Sequence, residues 1–264
     1  MLTIATWNIN SVRLRLPLVL RLLRERGPDV LCLQETKCPN ELFPREAFEA
    51  AGYPHVEIHG QKGYHGVATV SRLPLGDAHS RDYVAMGDTR HRTVTLARDG
   101  GPLRLHNFYV PAGGDEPDPA VNPKFDHKLR FIEEMRLLRA GDGGSDVLVG
   151  DLNIAPEEAD VWSSRQLRNT VSHTPVEREA MRALIRDGGW HDLMRHGRPA
   201  DEPVFTWWSY RNRDWRASNR GRRLDHVWGS RDLTERLRGV EVMVEARDWE
   251  KPSDHVPVVV DLDV

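Results

Sequence analysis

Four short segments place acids and amides at the ends of apolar runs. Thr6-Trp7-Asn8-Ile9-Asn10 follows residues 2–5, and Leu33-Gln34-Glu35-Thr36-Lys37 follows 29–32. Gly150-Asp151-Leu152-Asn153 follows 146–149, and Ser253-Asp254-His255 precedes 256–260. A strand fixes the backbone while its end stays open to solvent, so ligands and reacting groups favour such places. Any one of these segments also reads as a helix cap or a turn. Together they assemble a coherent chemistry. Glu35, Asp151 and Asp254 are hard oxygen ligands, and with Asn8 and Asn153 they suit Mg²⁺, with Mn²⁺ as a substitute. His255 stands at the edge of this metal set, with an imidazole that could hold a proton or contact a phosphate. Zinc fits poorly, because no Cys/His cluster has its spacing. Magnesium among carboxylates serves phosphoryl transfer or phosphodiester hydrolysis.

A fifth segment concerns the partner. Residues 206–226 set Arg211, Arg213, Arg216, Arg220, Arg222 and Arg223 among Trp207, Trp208, Trp215 and Tyr210. Guanidinium groups bind phosphates, and aromatic faces stack on bases or line a sugar pocket. The alternative is a surface loop whose tryptophans pack on the core. Asp225 opens an apolar run directly after two arginines and suits an orienting partner for His255. No G-x-S-x-G elbow occurs. No Walker A loop and no G-x-G-x-x-G before a helix occurs, so nucleotide-cofactor readings fail.

These groups need elements to hold them. Apolar or alternating runs predict strands at 2–7, 29–33, 56–58, 66–70, 92–96, 103–110, 146–149, 204–207, 224–228, 240–244 and 256–262. Leu16, Val19, Leu20 and Leu23 mark a helix with Ser11 as N-cap and Pro17 as a kink. Leu129, Ile132 and Met135 mark a second helix after Asp126. A short one opens at 156–159, and another follows Thr174-Pro175 with Val176, Ala180 and Leu184. Residues 111–123 read as a long surface loop and 141–144 as a turn. This mixed order does not suit a regular βαβ repeat. It predicts one α/β domain over 1–264, a four-layer α/β sandwich of two stacked mixed sheets with outer helices.

The 264 residues carry 37 Lys and Arg against 40 Asp and Glu, a net charge of −3. Bulk charge therefore argues against a protein that coats nucleic acid, without excluding a local basic face. No apolar run approaches the roughly 20 residues of a membrane helix. The start of the chain has no basic n-region, so no signal peptide is expected. Cys32 and Cys38 read as free thiols, which places the protein in the cytosol.

The motifs resemble the exonuclease III family of AP endonucleases, bacterial branch, within the endonuclease/exonuclease/phosphatase superfamily. The resemblance runs from W-N-I-N at 7–10 through L-Q-E-T-K at 33–37, Q-K-G-Y-H-G-V-A at 61–68, N-F-Y-V-P at 107–111 and G-D-L-N-I at 150–154. It continues in F-T-W-W-S-Y-R at 205–211, N-R-G-R-R-L-D at 219–225 and P-S-D-H at 252–255. It implies Mg²⁺-dependent hydrolysis on the 5′ side of an abasic site in duplex DNA, leaving a 3′-hydroxyl. It also implies 3′→5′ exonuclease activity and cleaning of recessed or blocked 3′ ends. Glu35 would be the principal metal ligand, supported by Asn8 and Asp254. Asp151 would activate water or protonate the leaving oxygen, with Asn153 holding Asp151 and the phosphate. Tyr109 would meet the scissile phosphate. His255, oriented by Asp225, would bond a phosphate oxygen. Trp207 and Leu224 would form the sugar pocket, and Lys128 with Arg222 or Arg223 would touch DNA phosphates. Ala112, Ser11 and Ser209 depart from the residues common in the family, which bears on substrate preference more than on catalysis.

Two other readings compete. One is a phosphodiesterase or phosphatase of the same superfamily acting on lipid headgroups, inositol phosphates or RNA. The other is a non-enzymatic DNA-binding module, which predicts loss of an acid or His that is in fact present. Nothing in the sequence indicates a protein partner, and a monomer is expected.

Overall fold

The computed structural model describes residues 1–98, 101–141 and 144–264. Twelve strands form two six-stranded sheets. They are β1 (Leu2–Asn8), β2 (Val30–Gln34), β3 (His55–His59), β4 (Val67–Ser71), β5 (Leu75–His79), β6 (His91–Leu96), β7 (Leu103–Tyr109), β8 (Ser145–Asp151), β9 (His191–Asp192), β10 (Asp225–Gly229), β11 (Leu237–Val242) and β12 (Val258–Leu262). The first sheet runs β11-β12-β1-β2-β4-β3 and the second β5-β6-β7-β8-β10-β9. Each sheet has a parallel pair at its centre, β1 with β2 and β7 with β8, and antiparallel neighbours outside. Parallel neighbours point their C-terminal ends the same way, which gathers residues that follow them at one edge.

Period-2 alternation builds the layers. On β1, Ile4 faces the other sheet while Ala5 and Trp7 face outward. On β8, Val147 and Val149 face inward and Leu148 outward. The inter-sheet core is mainly Val, Leu and Ile from β1, β2, β6, β7, β8, β10 and β12. Helices α1 (Val12–Glu25) and α2 (Arg45–Ala50) cover the first sheet through Val19, Leu22 and Phe48. Helices α3 (Pro123–Met135) and, after the single turn α4 (Ser164–Leu167), α5 (Pro175–Gly188) cover the second through Phe131, Met135, Met181 and Leu184. Single turns α6 (Trp215–Ser218) and α7 (Arg231–Thr234) complete the set. The expected sandwich with outer helices is the observed fold. Among the described residues, no helix is long and apolar enough to cross a membrane. Cys32 and Cys38 are buried and free.

Several local expectations need correction. Residues 204–207 are not a strand. Thr206 N donates to Arg222 O, Val256 N donates to Thr206 O, and Trp207 makes isolated bridges to Arg222 and His255, so its backbone partners lie in two different segments. Ser11 does not cap α1. Its φ is 87° and its side chain makes no cap bond, while its N donates to Glu35 O at 2.7 Å. The kink before Pro17 does occur, at Arg15. The second helix starts earlier than Asp126, because Asn122 accepts a bond from Lys124 N and Pro123 fills the first turn. The start of α5 follows its signal, with a reciprocal capping box between Thr174 and Glu177. The segment at 156–159 forms only a 3₁₀ turn, Glu158–Asp160. Edge strands β5 and β9 and helix α2 escaped sequence reasoning, since they are short and lack clean periodicity. Residues 142 and 143 of the turn expected at 141–144 lie outside the described residues.

Candidate active site

The site lies where the central strands end together. Asn8 closes β1, beside Gln34 at the end of β2. Tyr109 closes β7 and Asp151 closes β8, in register with each other and with Asp225 at the start of β10. Beneath them a buried polar rivet joins the sheets. Gln34 donates to Asn107 Oδ1 at 2.8 Å, and Asn107 donates to Leu33 O and Ala68 O. The strand ends are strained: Asn10, Ser11, Glu35, Lys37 and Asn153 all have φ between 48° and 87°. Non-glycine residues hold that conformation only where surroundings over-determine it. Here the backbone bonds Ser11 N to Glu35 O, Thr36 N to Gly66 O and Lys37 N to His65 O do so. Gly66 itself has no room for a side chain, because a Cβ would stand 2.1 Å from Thr36 Oγ1.

Asn8 Nδ2 donates to Glu35 Oε1 at 2.9 Å and to Asp151 Oδ2 at 2.8 Å, tying the two sheets together through their acids. Asn153 N donates to Asp151 Oδ1 at 3.0 Å, and its Nδ2 donates to Asp151 Oδ2 at 3.1 Å and Val110 O at 2.9 Å. His255 Nδ1 donates to Asp225 Oδ2 at 2.8 Å, and its Nε2 lies 3.7 Å from Asp151 Oδ2. Thr206 Oγ1 donates to the same Asp225 oxygen at 2.6 Å. Asp254 accepts from Trp207 Nε1 at 2.9 Å and Asn10 Nδ2 at 3.0 Å. Lys37 Nζ reaches Glu35 Oε2 at 2.8 Å and Asn10 Oδ1 at 2.6 Å, so Lys37 and Asn10 link Glu35 to Asp254.

These surroundings set the charges. Burial opposes protonation of His255, but Asp225 and Asp151 outweigh it and raise its pKa to about 10. Burial raises Asp151 to about 7, against the opposing pull of His255. Burial also raises Glu35, but Lys37 and Asn8 prevail and hold it below the usual carboxylate range. Burial, with Glu35 and Asp151 nearby, keeps Tyr109 a neutral phenol, with the Arg90 guanidinium 4.9 Å from its ring centre. Burial at Asp254 is likewise outweighed, by the His255 charge, Trp207 and Asn10. The site thus holds an imidazolium, a carboxyl group poised near neutrality, a neutral hydroxyl and two acids held below the usual range, Glu35 and Asp254.

The donor set fits a hard divalent cation. Four carboxylates (Glu35, Asp151, Asp225, Asp254) gather around His255 and Lys37, and Asp225 Oδ1 is buried without a hydrogen-bond partner. Excess buried negative charge on oxygen donors is what Mg²⁺ or Mn²⁺ offsets. One expected ligand fits less well. The Asn8 nitrogen faces the acids and its oxygen accepts from Asn10 N at 3.0 Å, so it clamps carboxylates. His255 shares with Asp151 and Asp225 a group of possible ligand atoms that lie within 4.8 Å of one another.

A cleft of about 650 Å³ opens over these groups. Glu35, Tyr109, Asp151, Asn153, Asp254 and His255 line it together with Trp162, Val171, Trp207, Arg220, Arg222 and Leu224. Residues 5–255 match the model of the Endonuclease/Exonuclease/phosphatase family. The chain belongs to that family. Exodeoxyribonuclease III of Haemophilus influenzae is 32% identical over 270 residues, covering 96% of this chain and 97% of the relative. The structure of an AP endonuclease from Archaeoglobus fulgidus superposes with a TM-score of 0.92 at 34% identity, over 100% of both chains. That of the 3′ phosphatase NExo from Neisseria, bound to a product DNA hairpin, superposes at 0.90 and 33%, also over 100% of both.

In this family member two of the expected DNA contacts face the interior. Lys128 is fully buried. Its Nζ reaches Glu177 Oε1 at 2.5 Å, Asn153 O at 2.7 Å and Ala112 O at 3.3 Å, which leaves no donor for a phosphate. It pins the carbonyl of the strained Asn153 instead. Arg223 is also fully buried, bonded to both Asp160 oxygens and to Asp192 Oδ2. Adjacent residues entering a strand point to opposite sides, so Arg222 faces the cleft and Arg223 the core. Asn10, Lys37 and Thr206 were not singled out from sequence. Their adjacency to Asn8, Glu35 and Trp207 was the available signal.

Proposed function

We propose that the protein is a DNA-repair nuclease that uses a divalent metal, Mg²⁺ first, to hydrolyse duplex DNA on the 5′ side of abasic sites. The same site would remove nucleotides and blocking groups from 3′ ends. The observation that carries this reading is the line Asp225–His255–Asp151, set beside Glu35 and Asp254 and opening onto an Arg/Trp wall. Glu35 and Asp254 would hold the metal, with Asp151 and Asn153 lining the same cleft. Such a cation supplies Lewis-acid polarisation of the phosphate and neutralises developing charge.

The chain's own groups do the rest. His255, kept charged by Asp225, donates through Nε2 to a phosphate oxygen. Tyr109 donates its hydroxyl to a neighbouring one. These donors are fixed before the substrate arrives, which is why they stabilise developing charge efficiently. Asp151, titrating near neutrality, exchanges a proton with the attacking water or the departing 3′ oxygen. Trp207 and Leu224 receive the extruded sugar and keep water from that side of the cleft. The protein would act as one unit over its 264 residues, without a protein partner, and its two buried free thiols suit a reducing cytosol.

The test is a labelled duplex carrying one tetrahydrofuran abasic analogue, incubated with Mg²⁺ or with EDTA. The analogue cannot undergo β-elimination, so a cut is hydrolytic. The expected result is a Mg²⁺-dependent nick 5′ to the analogue. Digestion only from the 3′ end would remove abasic recognition from the proposal. Inertness toward DNA, with activity on inositol phosphates or RNA, would overturn it.

A further inference from the structure

Arg222 stands on the cleft wall without a charge partner. Its backbone is locked to Trp207 in both directions, each N donating to the other's O at 3.0 Å. Its guanidinium lies 5.3 Å from the Trp207 ring centre. Nη1 donates to Ser172 Oγ at 2.8 Å and Val171 O at 3.2 Å, both neutral acceptors. Its Nε is buried with no partner. Among the described residues no carboxylate pairs with it; the acid whose charge it feels, Glu177, is bonded to Lys128. A guanidinium withdrawn from water ordinarily acquires a carboxylate, as Arg223 does with Asp160 and Asp192. Arg222 is held ready for an anion that the folded chain does not supply. Arg220, over Trp162 at 4.7 Å, lines the same wall. The cleft is therefore lined both by the acids of the site and by these guanidinium groups.

The chemistry identifies which part of a substrate arrives there. Resting on the nuclease reading above, hydrolysis breaks the bond between phosphorus and the 3′ oxygen of the retained strand. The water oxygen ends on phosphorus, and a proton ends on the 3′ oxygen. Whatever else is esterified to that phosphorus is removed. With phosphorus beside Asp151 and His255, the removed group extends toward Trp207, Leu224 and Arg222. A terminal nucleoside carries no charge beyond the phosphate that is cut and leaves Arg222 uncompensated. A carboxylate or a second phosphate would accept from it directly. We propose that Arg222 is a specificity residue for the removed group, and that it favours 3′ ends whose blocking ester carries its own negative charge.

The probes are one recessed duplex ending either in a 3′-phosphoglycolate or in the neutral isostere, a 3′-(2-hydroxyethyl) phosphate. The folded enzyme should prefer the glycolate at least tenfold in kcat/KM. Arg222→Leu should reduce that preference to under threefold, and Arg222→Lys should restore part of it. If Arg222→Leu does not fold, Arg222→Gln, which can keep the bond to Ser172, carries the comparison. No preference in the parent enzyme, or a preference that survives loss of the guanidinium, overturns the proposal. Hydrolysis of neither ester and no nick at tetrahydrofuran would instead remove the nuclease reading, and this proposal with it.

Discussion

Asp151 and His255 face each other across 3.7 Å with Asp225 behind the ring. Removing the Asp151 carboxylate takes away the proton carrier and leaves the imidazolium and the Arg/Trp wall in place. Asp151→Asn should therefore lower kcat by about 10³-fold or more, in the range of lost acid–base catalysis. Duplex affinity, measured by fluorescence anisotropy, should stay within about threefold. Near-normal kcat would remove Asp151 from its role; a matching loss of affinity would make it a binding residue. Asp151, Asp225 and His255 were legible in sequence because each stands at one end of an apolar run. Lys128 and Arg223 were misread because residue type alone does not tell a solvated cation from a buried one. Their partners, Glu177 and Asp160, are 49 and 63 residues away in the chain.

The elements hold this site by close backbone approach as much as by side chains. Gly150 precedes Asp151 on β8 with φ 138°, and a Cβ there would stand 1.9 Å from Phe108 O on β7. The obstacle is backbone paired within the β7–β8 ladder, so it cannot rotate away. Gly150→Ala should cost at least about 3 kcal/mol, because strain at positive φ adds to overpacking. Urea unfolding measures it, and a loss under about 1 kcal/mol would contradict this account of the β7–β8 contact. The loop after Asp151 is pinned at successive residues. Leu152 N donates to Leu224 O, Lys128 to Asn153 O, His226 to Ile154 O, and Ala155 N to Ser172 O. Long alternating strands and the Thr174-Pro175 helix start were readable, since periodicity and capping are local. The segment around Thr206 was not, because its pairing to residues 222 and 256 is decided by tertiary closure.

At the scale of the molecule, buried histidines couple folding to pH. Burial lowers His226 from its ordinary 6.5 to about 3, and it lowers His91, His106 and His173 as well. The folded state thus excludes a proton that the unfolded chain accepts. For His226 the stabilisation is complete above pH 6.5 and is lost as pH falls from 6.5 toward 3, by up to about 1.4 kcal/mol per pH unit. His226→Gln removes one of these groups while an amide can still reach Ile154 O. Its unfolding free energy should fall less steeply between pH 6.5 and 4.5 than that of the parent. Parallel curves would show that His226 does not carry the coupling. The two-sheet architecture was legible from the count and order of strands. The depth of these histidines was not, because it arises only when both sheets and their helices close. That closure also brings Asn8 of one sheet onto Asp151 of the other, and on this contact the proposed chemistry depends. The most direct test is to cleave the tetrahydrofuran duplex in ¹⁸O-water with Mg²⁺ and to analyse both new ends by mass spectrometry. Attack of water on phosphorus predicts one ¹⁸O in the new 5′-phosphate and an unlabelled 3′-hydroxyl. Label in the 3′-hydroxyl, or an unlabelled 5′-phosphate, would contradict it.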